Sequence, residues 1–502
     1  MRSVLRHAPQ LAALLLVATV GSRAVAAPPS PAECATRVND TPAKAAECIQ
    51  QKSLWYHLRQ FQIIADKNPG PDGHPNRNIG TSGYKASVDY VARLMRKAGY
   101  NVTVQRYRWR YSDVQGVPLL NLAGRAYRPG RDWQVGRLSG SGRVTAIVQP
   151  AGTGCAASDF SGFVRGRVAL VTYAPCPMDT QVANAEAAGA TALLLYREKT
   201  PSGDPVVSQR SAIENEAQNP ERIPVLQLVS SPTGDGLARD YGQGRADVAH
   251  IDVQTRTKSD FDYNVIADSP FGNPDRIVVV DAHLDSIYGA GMLDNASGST
   301  TILETARVLA RTRTVNRLRY IWFGGEEIGL LGSKFYTRHL DGRELRKIAF
   351  DIDVDVTATP NFAVLIADPA HAHQVDKFPP NVVPQSRVGN RAFAGYFRSA
   401  GIESRDGNND GTDSLSFSLV GVPNSGIYTQ QDCCKHQWEV DIWGGYLGNY
   451  EGKVPGHNGG CVDYPHRWCD NLSNNDPFVL EFASKAVAYV TLDLANDKSL
   501  KH

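Results

Sequence analysis

Two things are scarce in this chain of 502 residues: an excess of charge of either sign, and long apolar runs. Lys and Arg number 53 against 51 Asp and Glu, a formal net charge of +2. That balance gives no case for nucleic acid or an anionic membrane as the main partner, because both are bound through a marked cationic excess. After the first 26 residues no stretch approaches the roughly 20 apolar residues that span a bilayer. Internal repeats and long low-complexity tracts are missing too. The glycine-rich "GAGM" lacks a following Lys-Ser/Thr, so it gives no support for a phosphate loop.

What is present begins with a leader. "MRSVLRHAPQLAALLLVATVGSRAVAAPPS" has Arg2 and Arg6, an apolar run from Leu11 to Val20, and then Ala24-Val25-Ala26. This is the make-up of a secretory signal peptide over residues 1–26, and it predicts a secreted or periplasmic protein. The apolar run is too short to span as a helix. No cysteine lies near the cleavage site, so no lipid anchor or other membrane anchor is expected. Eight cysteines in an exported chain point to disulfides rather than thiolate metal sites. Spacing pairs Cys34 with Cys48, Cys155 with Cys176 and Cys461 with Cys469, and leaves Cys433 and Cys434 for each other.

In "TSGYKASVDYVARLMRKAGYNVTVQRYRW", Val88, Tyr90, Val91, Leu94 and Met95 recur at helical spacing. Gly99 marks the stop, and the alternation after it predicts a strand. From about Pro118 to Val253 the texture changes to short β-rich runs ("GRVTAIVQP", "GRVALVTYA", "IPVLQLV"). One alanine-rich stretch there, "VANAEAAGATALLLY", reads as a helix used for packing. From Asn264 onward strands and helices alternate, which predicts an α/β sheet with helices on both faces. The simplest architecture is one α/β domain interrupted by a smaller β-rich insertion. Residues 27–117 give an N-terminal segment and the first part of the main domain, 118–255 the insertion and 256–498 the remainder.

In open α/β sheets, sites form beyond the carboxyl ends of strands. Three strand ends carry ligand-type residues: His283 after "RIVVVDA", Glu326-Glu327 after "LRYIWFGG", and Asp355 after "KIAFDIDV". Asp294 lies in the loop that opens the next helix, and Asp285 follows His283 by two residues. Asp285 reads either as a partner of the imidazole or as a turn cap. His, Asp and Glu without cysteine suit one catalytic zinc or a pair. A carboxylate bridging two metals, with one His and one further carboxylate on each, needs a second histidine. "GGCVDYPHRWCDNLSNND" offers His466 between two cysteines, where a disulfide would fix the loop. Asp351 and Asp353 alternate with Asp355 and compete with it. His371, His373, His436 and His457 read as loop or surface residues.

These motifs, "HLDS", "GAGMLDNASG", "GGEEIGLLGSKFY", "DVDVTATPN", "IWGG" and the cysteine-flanked His466, resemble metallopeptidase family twenty-eight, the secreted co-catalytic di-zinc peptidases of leucine-aminopeptidase type. "GCAASDFSGFVRGRVALVTYAPCP" with "QVANAEAAGATALLLY" resembles a protease-associated domain. The resemblance implies a mixed-sheet zinc-peptidase fold of the phosphorylase/hydrolase kind and two Zn2+ per chain. It makes His283 and Asp355 ligands of one zinc, Glu327 and His466 ligands of the other, and Asp294 the bridge. Glu326 becomes the general base and Asp285 the carboxylate that orients the imidazole. The chain departs from the family at Leu293, before the bridging residue, and at Tyr464-Pro465, before His466. It departs again at Thr412-Asp413-Ser414, where Ser-Asp-His is usual.

The function expected is an exported zinc aminopeptidase acting on peptides with a free N-terminus, as a monomer. A preference for apolar first residues follows from the resemblance alone. Two alternatives are enzymes: a dipeptidase or carboxypeptidase on the same di-zinc site, although no arginine clamp is assignable, and a related acyltransferase, glutaminyl cyclase, which uses one zinc. A binding protein that has lost catalysis is a third, against which the full ligand set and Glu326 speak.

Overall fold

The apolar run ending in His283 becomes the centre of a mixed nine-stranded sheet. In the computed structural model its strand, Asn273–His283, lies parallel to Asn316–Phe323 on one side and to Ile348–Val354 on the other. All three are largely buried on both faces, which is why they read as near-continuous runs of β-branched and aromatic residues. Asn424–Tyr428 continues the sheet in parallel, followed by short Leu365–Ala367 and Arg405–Gly407. Across the sheet, Thr255–Asp268, Asn101–Val114 and Ser211–Ile213 follow in antiparallel order. The structure describes residues 29–500, apart from 71–72, 130–131, 137–138, 173–175, 177, 197–210, 214–222, 229–230, 288, 409, 432–433 and 452–468. The leader, Cys433, His457, Cys461, Tyr464 and His466 therefore lie outside the described residues.

Helices cover both faces. Val278, Val280, Leu318, Tyr320, Phe350 and Ile352 point into the larger core, against helices Gln51–Asp66, Ser82–Ala98, Ser297–Leu309 and Pro477–Asn496. Ile277, Val279, Ile321 and Phe323 point the other way, against Tyr336 and Phe417 of the short helices Leu331–Arg338 and Ser414–Leu419. Side chains alternate along a strand. Asp281, His283, Asp351, Asp353 and, just past the strand end, Asp355 therefore belong to this second face. Helix Ser82–Ala98 starts where the Thr81 hydroxyl accepts from the Tyr84 amide and ends at Gly99, as its sequence predicts.

Asn101–Val114 pairs with Thr255–Asp268 along its whole length, from Asn101 opposite Asp268 to Val114 opposite Thr255. The far end of this ribbon carries the second, eight-stranded sheet. That sheet has its own core. Trp133, Leu170, Leu194, Leu226 and Ile251 pack one face, and Phe160, Val171, Val182, Leu193 and Leu195 the other.

One element differs from the sequence reading. The alanine-rich stretch is not a single helix: Met178–Ala187 is helical, and Ala192–Tyr196 is a strand between Val168–Thr172 and Val225–Leu228. The chain turns at Gly189, whose φ of +82° suits glycine. Because "ALLLY" is buried on both faces it shows no period of two, and a short apolar run cannot be told from a buried helix by pattern alone.

The disulfides Cys34–Cys48 and Cys155–Cys176 form as spacing predicts. Cys434 and Cys469 each also belong to a disulfide. Cys48 sits in the main core beside Ala45 and Ile49, where it holds the N-terminal helices against the sheet's larger face. Replacing Cys34 and Cys48 together by serine frees a loop with a sequence separation of 14. Urea unfolding should show a loss of about 2–4 kcal/mol; an unchanged midpoint would mean that packing alone holds this segment.

Candidate metal centre

His283 ends its strand, and its Nε2 lies 2.9 Å from Asp294 Oδ1 and 3.4 Å from Asp355 Oδ1. One donor atom from each of the three residues lies within 4.8 Å of the others. Asp294 stands in the turn Met292–Ala296 that leads into helix Ser297–Leu309, and the Asp294–Asn295 peptide is cis. The buried His283 Nε2 and Asp355 Oδ1 make no aligned hydrogen bond. Buried polar atoms that approach one another without bonding are what a bound ion would explain. An imidazole nitrogen with carboxylate oxygens and no thiolate is a donor set that zinc accepts, so the residues present fit such an ion.

On the other side of the ring, Nδ1 lies 3.2 Å from the backbone oxygen of Asp285 and 3.6 Å from its Oδ1. The main-chain oxygen is the nearer partner. Asp285 Oδ1 accepts from the Glu326 amide at 3.3 Å and so ties the histidine loop to the Glu326-Glu327 turn. Glu326 Oε2 lies 3.9 Å from His283 Nε2. Asp294, Glu326, Glu327, Asp355 and Gln431 line one cleft of about 500 Å³. His283, Asp285, Asp294, Glu326, Glu327 and Asp355 are thus brought together, while His466 lies outside the described residues. The His371 and His373 side chains are exposed, and His436 caps the helix Gln437–Trp443.

Burial by itself would lower the pKa of His283. Asp355, Glu326, Asp285 and Asp294 outweigh it and hold the imidazole well above its ordinary value. Glu326 is pushed well above the usual carboxylate range by burial, opposed by His283 and reinforced by Glu327, Asp413 and Asp355. Deeper on the same face, Asp281, Asp351 and Asp413 are pushed well up by burial and by neighbouring carboxylates. Asp353 is pushed up to about 7 by burial and then by Asp355. Sequence reasoning took Asp351 and Asp353 only as rivals of Asp355 and gave Asp281 no role. The available signal was a carboxylate in the interior of an apolar strand.

Three further residues were missed because their partners are backbone atoms. Asn295 Nδ2 donates to Val354 O at 3.0 Å, and its Oδ1 accepts from Gly298 N at 2.8 Å and Val356 N at 3.2 Å. It stitches the Asp294 turn to the end of the strand before Asp355. Arg77 is fully buried and donates to Leu284 O and Ala290 O at 2.7 Å and to Gly291 O at 2.6 Å. Asp470 accepts from Leu293 N at 2.8 Å and Asp294 N at 3.0 Å.

Comparison with known proteins agrees with this geometry. Residues 264–491 match the model of Peptidase family M28, and residues 141–237 match the PA domain. A relative from Pseudomonas aeruginosa, named aminopeptidase, is 31% identical over 479 residues, covering 92% of this chain and 84% of its own length. Two solved structures share the fold. The aminopeptidase from Aneurinibacillus sp. strain AM-1 has a TM-score of 0.67 at 20% identity, over 92% of this chain and 97% of its own. BSAP, a zinc aminopeptidase from Bacillus subtilis, has a TM-score of 0.63 at 23% identity, over 90% and 97%. The match over residues 264–491 and the identity shared with the aminopeptidase relative along most of both chains lead to one conclusion: this protein belongs to peptidase family M28.

Proposed function

We propose that the protein is an exported aminopeptidase that works with two zinc ions. The observation that carries this reading is the convergence of His283, Asp294 and Asp355 at a cleft whose walls include Glu326 and Glu327. In this reading His283 and Asp355 would hold one ion and Glu327 and His466 the other, with Asp294 as the remaining ligand. Zinc bound there would supply Lewis-acid polarisation of the scissile carbonyl and of the attacking water. Glu326 takes the water's proton and returns it to the leaving amine. Asp285 holds the Glu326 backbone and faces His283 Nδ1, so it positions both. The acidic walls receive the substrate's α-ammonium, which favours cleavage at the amino end.

A second pocket of about 350 Å³ opens beside Asp355. Its walls include Val356, Ala367, Ile427 and Tyr428, with Asn408 and Gln430 as uncharged polar neighbours. We assign it to the first side chain of the substrate. Its apolar walls support an apolar residue there, and the carboxylates next to it disfavour an acidic one. Export is supported by the leader and by the disulfides. No helix among the described residues is long and apolar enough to cross a membrane.

Two measurements test the reading. Aminoacyl p-nitroanilides carrying Leu should exceed those carrying Asp or Glu by more than about tenfold in kcat/KM, and N-acetylation should abolish cleavage. Equal rates on blocked and free peptides would remove the aminopeptidase assignment. In the second, Glu326→Gln should lower kcat by roughly 10²–10⁴-fold with KM little changed and both zinc ions retained. Glu327→Gln should lose zinc instead. If Glu326→Gln is the variant that loses metal, the two roles are reversed.

A further inference from the structure

The segment after His283 leads to Asp294, a second proposed ligand, and its described residues 284–287 and 289–291 belong to no helix or extended strand. Two groups of its backbone atoms nonetheless converge, each on a single residue. The carbonyls of Leu284, Ala290 and Gly291 converge on Arg77. The amides of Met292, Leu293 and Asp294, three in succession, converge on Asp470, the first on its backbone oxygen at 3.3 Å and the others on its carboxylate. A guanidinium is the group that can serve three carbonyls at once from a rigid planar fork. Fit is close on this side. A Cβ at Gly291, where φ is +60°, would lie 2.3 Å from Ser286 Cβ and 3.2 Å from an Arg77 terminal nitrogen. The Arg77 amide also donates to Ser286 Oγ at 3.3 Å.

We infer that Arg77 and Asp470 are positioning residues that fix the ligand loop, and with it Asp294, before metal is bound. The inference rests on the metal reading given above. Neither residue is among those lining the cleft, so neither acts on substrate directly. Arg77 lies ahead of the inserted PA domain and outside the matched residues 264–491. Asp470 directly follows the disulfide-bonded Cys469 and lies four positions beyond His466. One clamp therefore draws the N-terminal segment and the C-terminal ligand region onto the same loop. Burial lowers the Arg77 pKa to about 10, which leaves it charged at pH 7. Buried outer groups of this kind govern metal affinity by holding ligands in place.

The test uses the full chain stripped of metal. Zinc is titrated into wild type, Arg77→Lys and Asp470→Asn in competition with a chromophoric chelator, and amide hydrogen exchange is followed in the metal-free protein. Lysine keeps the charge but not the fork; asparagine keeps the shape but can accept from only one of the two amides through its oxygen. Both variants should bind zinc about 10–100-fold more weakly, and the Leu293 and Asp294 amides should exchange faster before metal is added. Leu194→Ala, in the core of the eight-stranded sheet, serves as a control for loss of stability and should bind zinc as wild type does. Zinc affinities within about twofold of wild type, wild-type exchange rates in the loop, or an equal loss in Leu194→Ala would each overturn the inference. A wild-type protein that takes up no zinc would overturn the metal reading instead, and the exchange rates would then decide the clamp alone. If Arg77→Lys does not fold, Asp470→Asn carries both measurements.

Discussion

Negative charge shut away from water is the constraint on which the rest of this molecule depends. One face of the central sheet buries Asp281, Asp351 and Asp353 and ends in His283 and Asp355. An isolated ionised carboxylate in such a place is very costly, so it must take a proton, a counter-charge or a metal. For the deeper groups, burial and the neighbouring carboxylates push the pKa up and favour the protonated form. At the strand ends the spacing of the His283 nitrogen and the Asp294 and Asp355 oxygens suits a cation. The opposite face of the same strands is apolar and anchors the core.

The sheet also sets the scale of the site. Asp281 is level with Asp353 across adjacent parallel strands, so His283 and Asp355, two residues further along, come level just past the ladder. Neighbouring strands are roughly 4.8 Å apart, a separation that lets two side chains lean onto one ion. What strands cannot provide is a third donor from between them. That comes from the Asp294 turn, which Asn295 fastens to Val354 and Val356. Rigid strands thus carry two of the proposed donors, and a loop held by buried polar side chains carries the third.

The parts that were legible in the sequence are those where side chain type and local period carry the information. "RIVVVDAH", "LRYIWFGGEE" and "KIAFDIDVD" announced buried strands ending in ligand-type residues, and the structure places those ends together. Pattern failed at "VANAEAAGATALLLY", where a strand buried on both faces looks like the continuation of a helix. It failed differently at Arg77, Asn295 and Asp470. Each acts on main-chain carbonyls or amides, which every sequence possesses, so nothing in the identity of their partners marks them. Nor could alternation alone rank Asp351, Asp353 and Asp355, which share one face; only their depth separates them.

The two-sided clamp on the ligand loop has a consequence for how the protein comes into being. Arg77 leaves the ribosome long before Leu284, whose carbonyl it holds across 207 positions. Asp470 arrives 177 positions after the Leu293 amide it receives. A nascent chain therefore carries one jaw for much of its synthesis with nothing to close against. Contacts of such long range form late in folding, because the intervening chain must first be brought together. If the proposed clamp sets the centre, that centre is among the last features a growing chain can complete, and the peptidase stays unarmed while it is itself unfinished.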